Sequence, residues 1–528
     1  MRVLISDPLA EQGLERLRAE PEIEIDVQLG KSPEQLAAAL ADCQGWIVRS
    51  GTQVTAELLA AAPRLRVVGR AGSGVDNIDL QAATARGVVV VNTPGGNSVS
   101  VAELTLGAMV ACARHLARAD RLLKQGRWAK KELRGHELFG KTLGVIGLGR
   151  IGREVATRAR AFDMRVVGAD PYAARAELAE IGVEVVELDE LLARSHVVSL
   201  HVPRTAETAH LIDAAALARM RDGVLLLNFA RGGLVDERAL LAALESGKVA
   251  AASLDAFESE PEPLAELVAH DRVLATPHIG ASTHEAQQNV GVYAAAQVAD
   301  YLVRGELRNA VNYPSISPDQ AAALAPYLQL ADRLGAFVSQ AAAARMRQLT
   351  VTLQGSLVDQ PTRLLVDRAL AAALRPFLAA GEVNPVNARA LAEQRGLRLV
   401  EAATADAGGF EARIQVELET DQGRLRATGV VAGADRPPRL VGLDGLDLDA
   451  PLAGHCLFLR NDDVPGVIGR IGSYAGDHGV NVVNFALRQD GRGGALALVQ
   501  LDRRLDRAQR QALAGLEGIR AVRAVDLS

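Results

Sequence analysis

Cysteine is scarce in this 528-residue chain: Cys43, Cys112 and Cys456 are odd in number and widely spaced. That argues against a disulfide framework or a cysteine metal site, so no metal is expected, and it fits a reducing cytoplasm. No block of basic residues occurs, and 58 Lys+Arg against 64 Asp+Glu give a net charge of −6. Nucleic acid and anionic membrane surfaces are therefore not expected partners. No apolar run is long enough to span a bilayer. The opening Met1-Arg-Val-Leu-Ile-Ser-Asp7-Pro8 breaks its apolar run after three residues, as a strand start does and a signal peptide does not. What remains, 49% hydrophobic and 23% charged residues, is a globular composition with length for about three or four domains.

Glycine is plentiful, and its placement is informative. The apolar run Thr142–Ile146 ends in Gly147-Leu-Gly149-Arg150-Ile151-Gly152, and a helical pattern follows directly. In that context the first Gly makes the tight turn, the second admits a pyrophosphate, and the third lets helix pack on strand. The pyrophosphate then meets unpaired N–H groups at the helix start. A second apolar run, Met164–Ala169, ends in Asp170, 18 residues beyond Gly152 (170 − 152). A carboxylate there accepts ribose hydroxyls and repels a 2′-phosphate, so NAD is expected rather than NADP.

The rest of the chain alternates short β-rich runs with helices, the pattern of parallel sheets covered on both faces. Residues 1–97 and 285–316 read as one α/β unit interrupted by the nucleotide unit at 98–284. One long helix is expected from Val99 to about Gln125, capped by Ser98 or Ser100 and buried or at a subunit contact. The polar stretch Tyr313-Pro-Ser-Ile-Ser-Pro318 reads as a linker. A mixed α/β region follows at 317–453, with a hairpin around Asp421-Gln-Gly423, and then βαββαβ at 454–528.

Three strand ends of the nucleotide unit carry chemistry. Asn228-Phe-Ala230-Arg231-Gly-Gly presents a guanidinium fork suited to a carboxylate. Asp255-Ala-Phe-Glu-Ser-Glu260-Pro presents two acids. Thr276-Pro-His278-Ile-Gly280 presents a histidine able to exchange a proton near neutrality, which a neighbouring carboxylate could orient. Hydride removal from an alcohol needs this set: a base, its orienter and a cation for the substrate's anionic end. In the first unit, Arg49-Ser-Gly-Thr and Arg70-Ala-Gly72-Ser73-Gly74-Val75-Asp76-Asn77 also follow strands, where open α/β sheets bind ligands.

With His201-Val202-Pro203-Arg-Thr205, these runs resemble the D-2-hydroxyacid dehydrogenase family over residues 1–316. The resemblance implies a Rossmann domain inserted in a flavodoxin-like substrate domain. It makes His278 the general acid/base, Glu260 its partner, and Arg231 the holder of the substrate carboxylate and carbonyl. The cofactor contacts it implies are Gly147, Gly149, Arg150, Ile151, Gly152, Asp170, His201, Val202, Pro203, Thr205, Ala230, Arg231, Asp255, His278 and Gly280, with Asp255 on the nicotinamide amide. Substrate contacts fall on Arg49, Ser73, Gly74, Val75, Asn97, Arg231 and His278. A substrate phosphate would meet Arg49 first, with Lys141 or Arg134 as further cations, the latter from a second subunit.

The tail motif Asn461-Asp-Asp463-Val-Pro465-Gly466, with Gly479-Val-Asn481, resembles an ACT domain, a small amino-acid-sensing module. Together with Val386-Asn-Ala-Arg in the intervening region, it resembles the long form of the family. That form oxidises 3-phosphoglycerate to 3-phosphohydroxypyruvate, the first step of serine synthesis. The implied effector is L-serine, held by Asn461, Asp463 and Asn481, and the implied assembly is a homotetramer. A glyoxylate or hydroxypyruvate reductase would leave about 210 tail residues unused. An NADH-sensing corepressor of the same fold would not need the amino-acid module.

Overall fold

The computed structural model describes residues 1–379, 381–433 and 438–528, whose strands form four sheets. The first is five-stranded and parallel, built from β1 (Arg2–Ile5), β2 (Glu24–Val27), β3 (Gly45–Val48), β4 (Val67–Arg70) and β5 (Val89–Val91) in the order β2-β1-β3-β4-β5. This is the flavodoxin-like order. β3 and β5 are buried along their whole length because helices cover both faces.

The second sheet has seven parallel strands: β6 (Thr142–Ile146), β7 (Arg165–Ala169), β8 (Val183–Val185), β9 (Val197–Leu200), β10 (Val224–Asn228), β11 (Val249–Leu254) and β12 (Val273–Ala275). The order β12-β11-β10-β9-β6-β7-β8 reverses direction at β6/β9, the crevice where a doubly wound sheet takes its dinucleotide. Helix Ser98–Ala113 leaves the first sheet and helix His284–Ala299 returns to it. Their first turns are tied by a Ser100 Oγ–Thr283 Oγ1 hydrogen bond of 2.8 Å. The carboxyl ends of the two parallel sheets thereby face one cleft.

The third sheet runs β14-β13-β15-β16-β17-β18, from β13 (Met346–Gly355), β14 (Arg398–Thr404), β15 (Ala412–Thr420), β16 (Gly423–Val430), β17 (Arg439–Leu443) and β18 (Leu446–Pro451). Only β13–β14 is parallel. The fourth, β20-β21-β19-β22, is antiparallel and has the expected βαββαβ order, from β19 (Gly454–Asp462), β20 (Val482–Gln489), β21 (Gly494–Leu501) and β22 (Ile519–Leu527). These two sheets share a core through helix Pro318–Ala342, where Phe337 meets Phe458 edge-on at 6.1 Å. Val386, from the intervening region, is buried in the core of the first sheet, and Asn384 Nδ2 donates to the Gly87 carbonyl at 2.8 Å.

Two local expectations fail. The single helix from Val99 to Gln125 is instead two, Ser98–Ala113 and Leu116–Lys124, bent by 64° at a left-handed His115 (φ 56°). The break is tertiary in origin. The 134–136 segment crosses the first helix's end, and His136 N–H donates to the Ala113 carbonyl at 2.9 Å. Gly135 is required there, since a Cβ would stand 2.3 Å from that same oxygen. Nor does either serine cap the helix: the N-cap is Asn97, with no side-chain cap bond, because its Oδ1 accepts instead from Ser73 Oγ at 2.9 Å. Among the described residues no single helix is long and apolar enough to cross a membrane, and the bent pair that passes by length packs its first helix against the nucleotide sheet.

Candidate active site

The glycine loop leaves β6 at Gly147 (φ 92°), where a Cβ would lie 2.7 Å from the His201 carbonyl. A Cβ on Gly152 would stand 2.0 Å from the Gly147 carbonyl, so the third glycine lets the helix close onto the strand. Gly149 has no atom within 4 Å of such a Cβ and faces open space. It is also the N-cap of helix Arg150–Arg160, with no side chain capping the first N–H groups. A pyrophosphate fits there: free donors, an open approach and the positive end of a helix dipole coincide.

Asp170 ends the neighbouring strand and braces the same loop, accepting the N–H of Leu148 and of Tyr172, both at 2.9 Å. Across the sheet His201 follows β9, its Nε2 paired with Ser199 Oγ at 2.8 Å and its Nδ1 buried without a partner. Burial pushes the imidazole down to about 3, so it is neutral at any working pH. Val202 lines the loop beside Gly147. Arg204 lies against Gly233.

His278 follows β12 in a left-handed conformation (φ 52°), uncommon for a residue with a side chain. Asp255, 2% exposed, imposes it: Oδ1 accepts Thr276 Oγ1 at 2.6 Å and Ile279 N–H at 2.8 Å, and Oδ2 accepts Gly280 N–H at 2.8 Å. So held, His278 Nδ1 meets both Glu260 oxygens, at 2.9 and 3.1 Å. With Nδ1 donating to the carboxylate, Nε2 carries the lone pair and is the atom able to take a proton. Glu260 is itself steadied by the Phe257 N–H at 2.9 Å.

Arg231 follows β10 and reaches the other sheet. Its Nε donates to Asp76 Oδ2 at 2.9 Å, and its Nη2 is so close to Gly74 that a Cβ there would stand 2.0 Å away. Asn228 Nδ2 holds the Arg231 carbonyl at 2.8 Å. Ser73, Gly74 and Val75 lie in the same loop, with Asn92 Nδ2 donating to the Ser73 carbonyl at 2.6 Å.

The sequence places Arg70 and Asp76 in a candidate ligand loop but assigns neither a role. Arg70 is the last residue of β4; burial, with Arg231 and Arg49 nearby, pushes its guanidinium down to about 10. The Nε atoms of Arg49 and Arg70 are both buried without a partner. Arg49 is pinned through its backbone N–H to Asp7 Oδ2 at 2.6 Å, and its Nη1 donates to the Pro8 carbonyl at 3.3 Å. Three guanidinium groups so clustered, with two unsatisfied donors, form a place for an anion of more than one charge. The available signal was position: Arg70 ends a strand just as Arg49 and Arg231 follow one.

Other expected residues are not brought together within one chain. Lys141 precedes β6 and so lies at the opposite end of that strand from Gly147, about 20 Å away at ~3.3 Å per residue. Arg134 is exposed beside the helix end at Ala113, where its carbonyl meets His115 Nε2. In the tail, Asn461 is opposite Ala495 on β21, whereas Val482, beside Asn481, is opposite Leu501. The six-step separation along β21 puts Asn461 and Asn481 about 20 Å apart in one chain.

Residues 106–280 match the NAD binding domain of D-isomer specific 2-hydroxyacid dehydrogenases. The solved structure of a glyoxylate reductase from Paecilomyes thermophila is 33% identical, with a TM-score of 0.55, over 61% of this chain and 99% of its own. That of a D-lactate dehydrogenase from Aquifex aeolicus with NAD and lactic acid is 31% identical, with a TM-score of 0.52, over 60% and 100%. Fold and site thus define an NAD-binding dehydrogenase of the D-2-hydroxyacid class. Residues 323–444 further match the D-3-phosphoglycerate dehydrogenase intervening domain. The D-3-phosphoglycerate dehydrogenase of Archaeoglobus fulgidus is 40% identical over 95% of each chain, and that of Bacillus subtilis 36% over 100% of this chain and 99% of its own. The chain belongs to the D-3-phosphoglycerate dehydrogenase family.

Proposed function

We propose that this chain oxidises 3-phospho-D-glycerate to 3-phosphohydroxypyruvate, the first step of L-serine synthesis. NAD, when bound on the glycine loop, supplies the hydride acceptor. His278 Nε2 takes the proton of the substrate hydroxyl, and Glu260 stabilises the imidazolium that forms. Arg231 aims its fork at the substrate carboxylate and at the oxygen that becomes the ketone. Asp255 holds the loop that presents His278, with one lone pair of Oδ2 left for the cofactor amide. Ser73, Gly74, Val75 and Asn97 line the carboxylate side, and Asp170 receives the ribose.

The observation that carries the phosphorylated substrate is the arginine cluster, Arg49 and Arg70 beside Arg231, with two buried unpartnered Nε atoms. Arg49→Ala and Arg70→Ala should each raise KM for 3-phosphoglycerate far more than for D-glycerate. Equal effects on both substrates would remove the arginines from the phosphate site.

The same proposal extends to organisation and control. The four sheets support a division into 1–97 with 285–316, 98–284, 317–453 and 454–528. Exposed Leu116, Leu123, Trp128 and Phe139 support pairing of copies within a homotetramer. Three unpaired, buried cysteines support a cytoplasmic location. L-serine is the proposed effector. Asn461 Oδ1, buried and unpartnered, awaits a donor such as its ammonium, and the separation from Asn481 requires a site formed by two tails. If Asn481→Ala keeps serine inhibition, that site is wrong.

A further inference from the structure

Glu237 opens helix Glu237–Ser246, but it does not cap it. Asp236 does, accepting the Ala239 N–H at 2.9 Å. The Glu237 side chain turns instead beneath the loop that follows β11 and is buried there. Its Oε1 accepts the Glu258 N–H at 2.7 Å. The contact is reciprocal, since Glu237 N–H donates to Glu258 Oε1 at 3.2 Å. No cation pairs with Glu237 among the described residues. A buried, cation-free carboxylate disfavours the fold unless hydrogen bonding offsets the loss of water, and here the Glu258 N–H supplies it.

The loop so gripped at Glu258 carries Glu260 two residues further on. Its carboxylate must reach across from the β11 connection to the β12 connection to meet His278 Nδ1. An acid–base pair works only within hydrogen-bond reach, so an error of about 1 Å in this loop would be felt in the chemical step. We infer that Glu237 is a positioning residue for the acid–base pair, holding the start of the 258–264 loop through Glu258 so that Glu260 meets His278. This rests on the catalytic reading of His278 and Glu260 given above. The charged and titratable groups around the pair are Glu258 on the same loop, His210 at 3.1 Å from Glu258, Asp255 under the His278 loop and Arg231 on the β10 connection. Arg231 is anchored separately, through Asn228, so substrate grip should survive loss of Glu237.

The test is a double-mutant cycle on the full-length enzyme. Glu237→Ala should lower kcat about tenfold, less than the ~10²–10⁴-fold that follows removal of a positioned acid–base group, with KM for 3-phosphoglycerate and NAD little changed. In a Glu260→Ala background the same substitution should have no further effect on kcat, because the only group it positions is gone. Glu237→Gln, which keeps an oxygen acceptor and most of the volume, should recover part of the loss and carries the test should the alanine variant fail to fold. An equal fold-loss in the presence and absence of Glu260, a change confined to KM, or unchanged kcat would each overturn the inference. Failure of the parent reading is separately visible as full turnover by His278→Ala.

Discussion

Arg231 and Asp76 stand 155 residues apart in the chain and on different sheets, yet their side chains pair at 2.9 Å across the cleft. The substrate carboxylate proposed to bind Arg231 must share or displace this partner. Because the Asp76 side chain is 68% exposed, the pair contributes only about 0–1 kcal/mol to stability. Asp76→Asn should therefore leave the melting temperature nearly unchanged and lower KM for 3-phosphoglycerate several-fold. A rise in KM would instead make Asp76 the residue that aims Arg231.

His278→Ala should lose on the order of 10²–10⁴-fold in kcat, and Glu260→Gln a smaller factor, since the amide still bonds Nδ1 but cannot balance a positive imidazolium. Steady-state turnover with saturating NAD measures both. Near-normal turnover by His278→Ala would remove it from the chemistry.

Acid should destabilise the protein partly through His201. Its folded value is pushed down to about 3 from an ordinary 6.5 by burial. Between those values the unfolded chain binds a proton that the folded chain refuses, so stability falls as pH drops through that window. Urea unfolding at steps from neutral to acid pH should show a shallower decline for His201→Asn than for the wild type. Parallel declines would mean that His201 titrates normally.

Asp170→Ala should narrow the preference for NAD over NADP by removing the charge that repels a 2′-phosphate. It should also loosen the glycine loop, because Asp170 accepts the Leu148 N–H. Comparison of kcat/KM for the two cofactors decides the point; an unchanged ratio would leave Asp170 a loop brace only.

Much of this is legible in the sequence. The glycine loop, Asp170 and the loops after β10, β11 and β12 are each written locally, as an apolar run ending in polar residues. Parallel strands then place all those loops along one edge. What escaped was set by distant segments. The helix break at His115 depends on Gly135 arriving over Ala113. Arg70 gains meaning only when Arg49 and Arg231 stand beside it. Asn461 and Asn481 both flank the same helix, yet antiparallel pairing sends them to opposite ends of β21. Val386 leaves the intervening region to fill the core of the first sheet, a placement its own sequence does not specify.

The central claim is that the cleft oxidises a phosphorylated 2-hydroxy acid. The most direct measurement is the rate of NADH formation by the full-length protein with 3-phosphoglycerate and, side by side, with D-glycerate, which differs only in lacking the phosphate. A kcat/KM higher by about 10²-fold or more for the phosphorylated substrate is predicted, the order expected when two guanidinium groups with buried, unpartnered Nε atoms lose their anion. Equal kcat/KM for the two substrates, or turnover with D-glycerate alone, would contradict it.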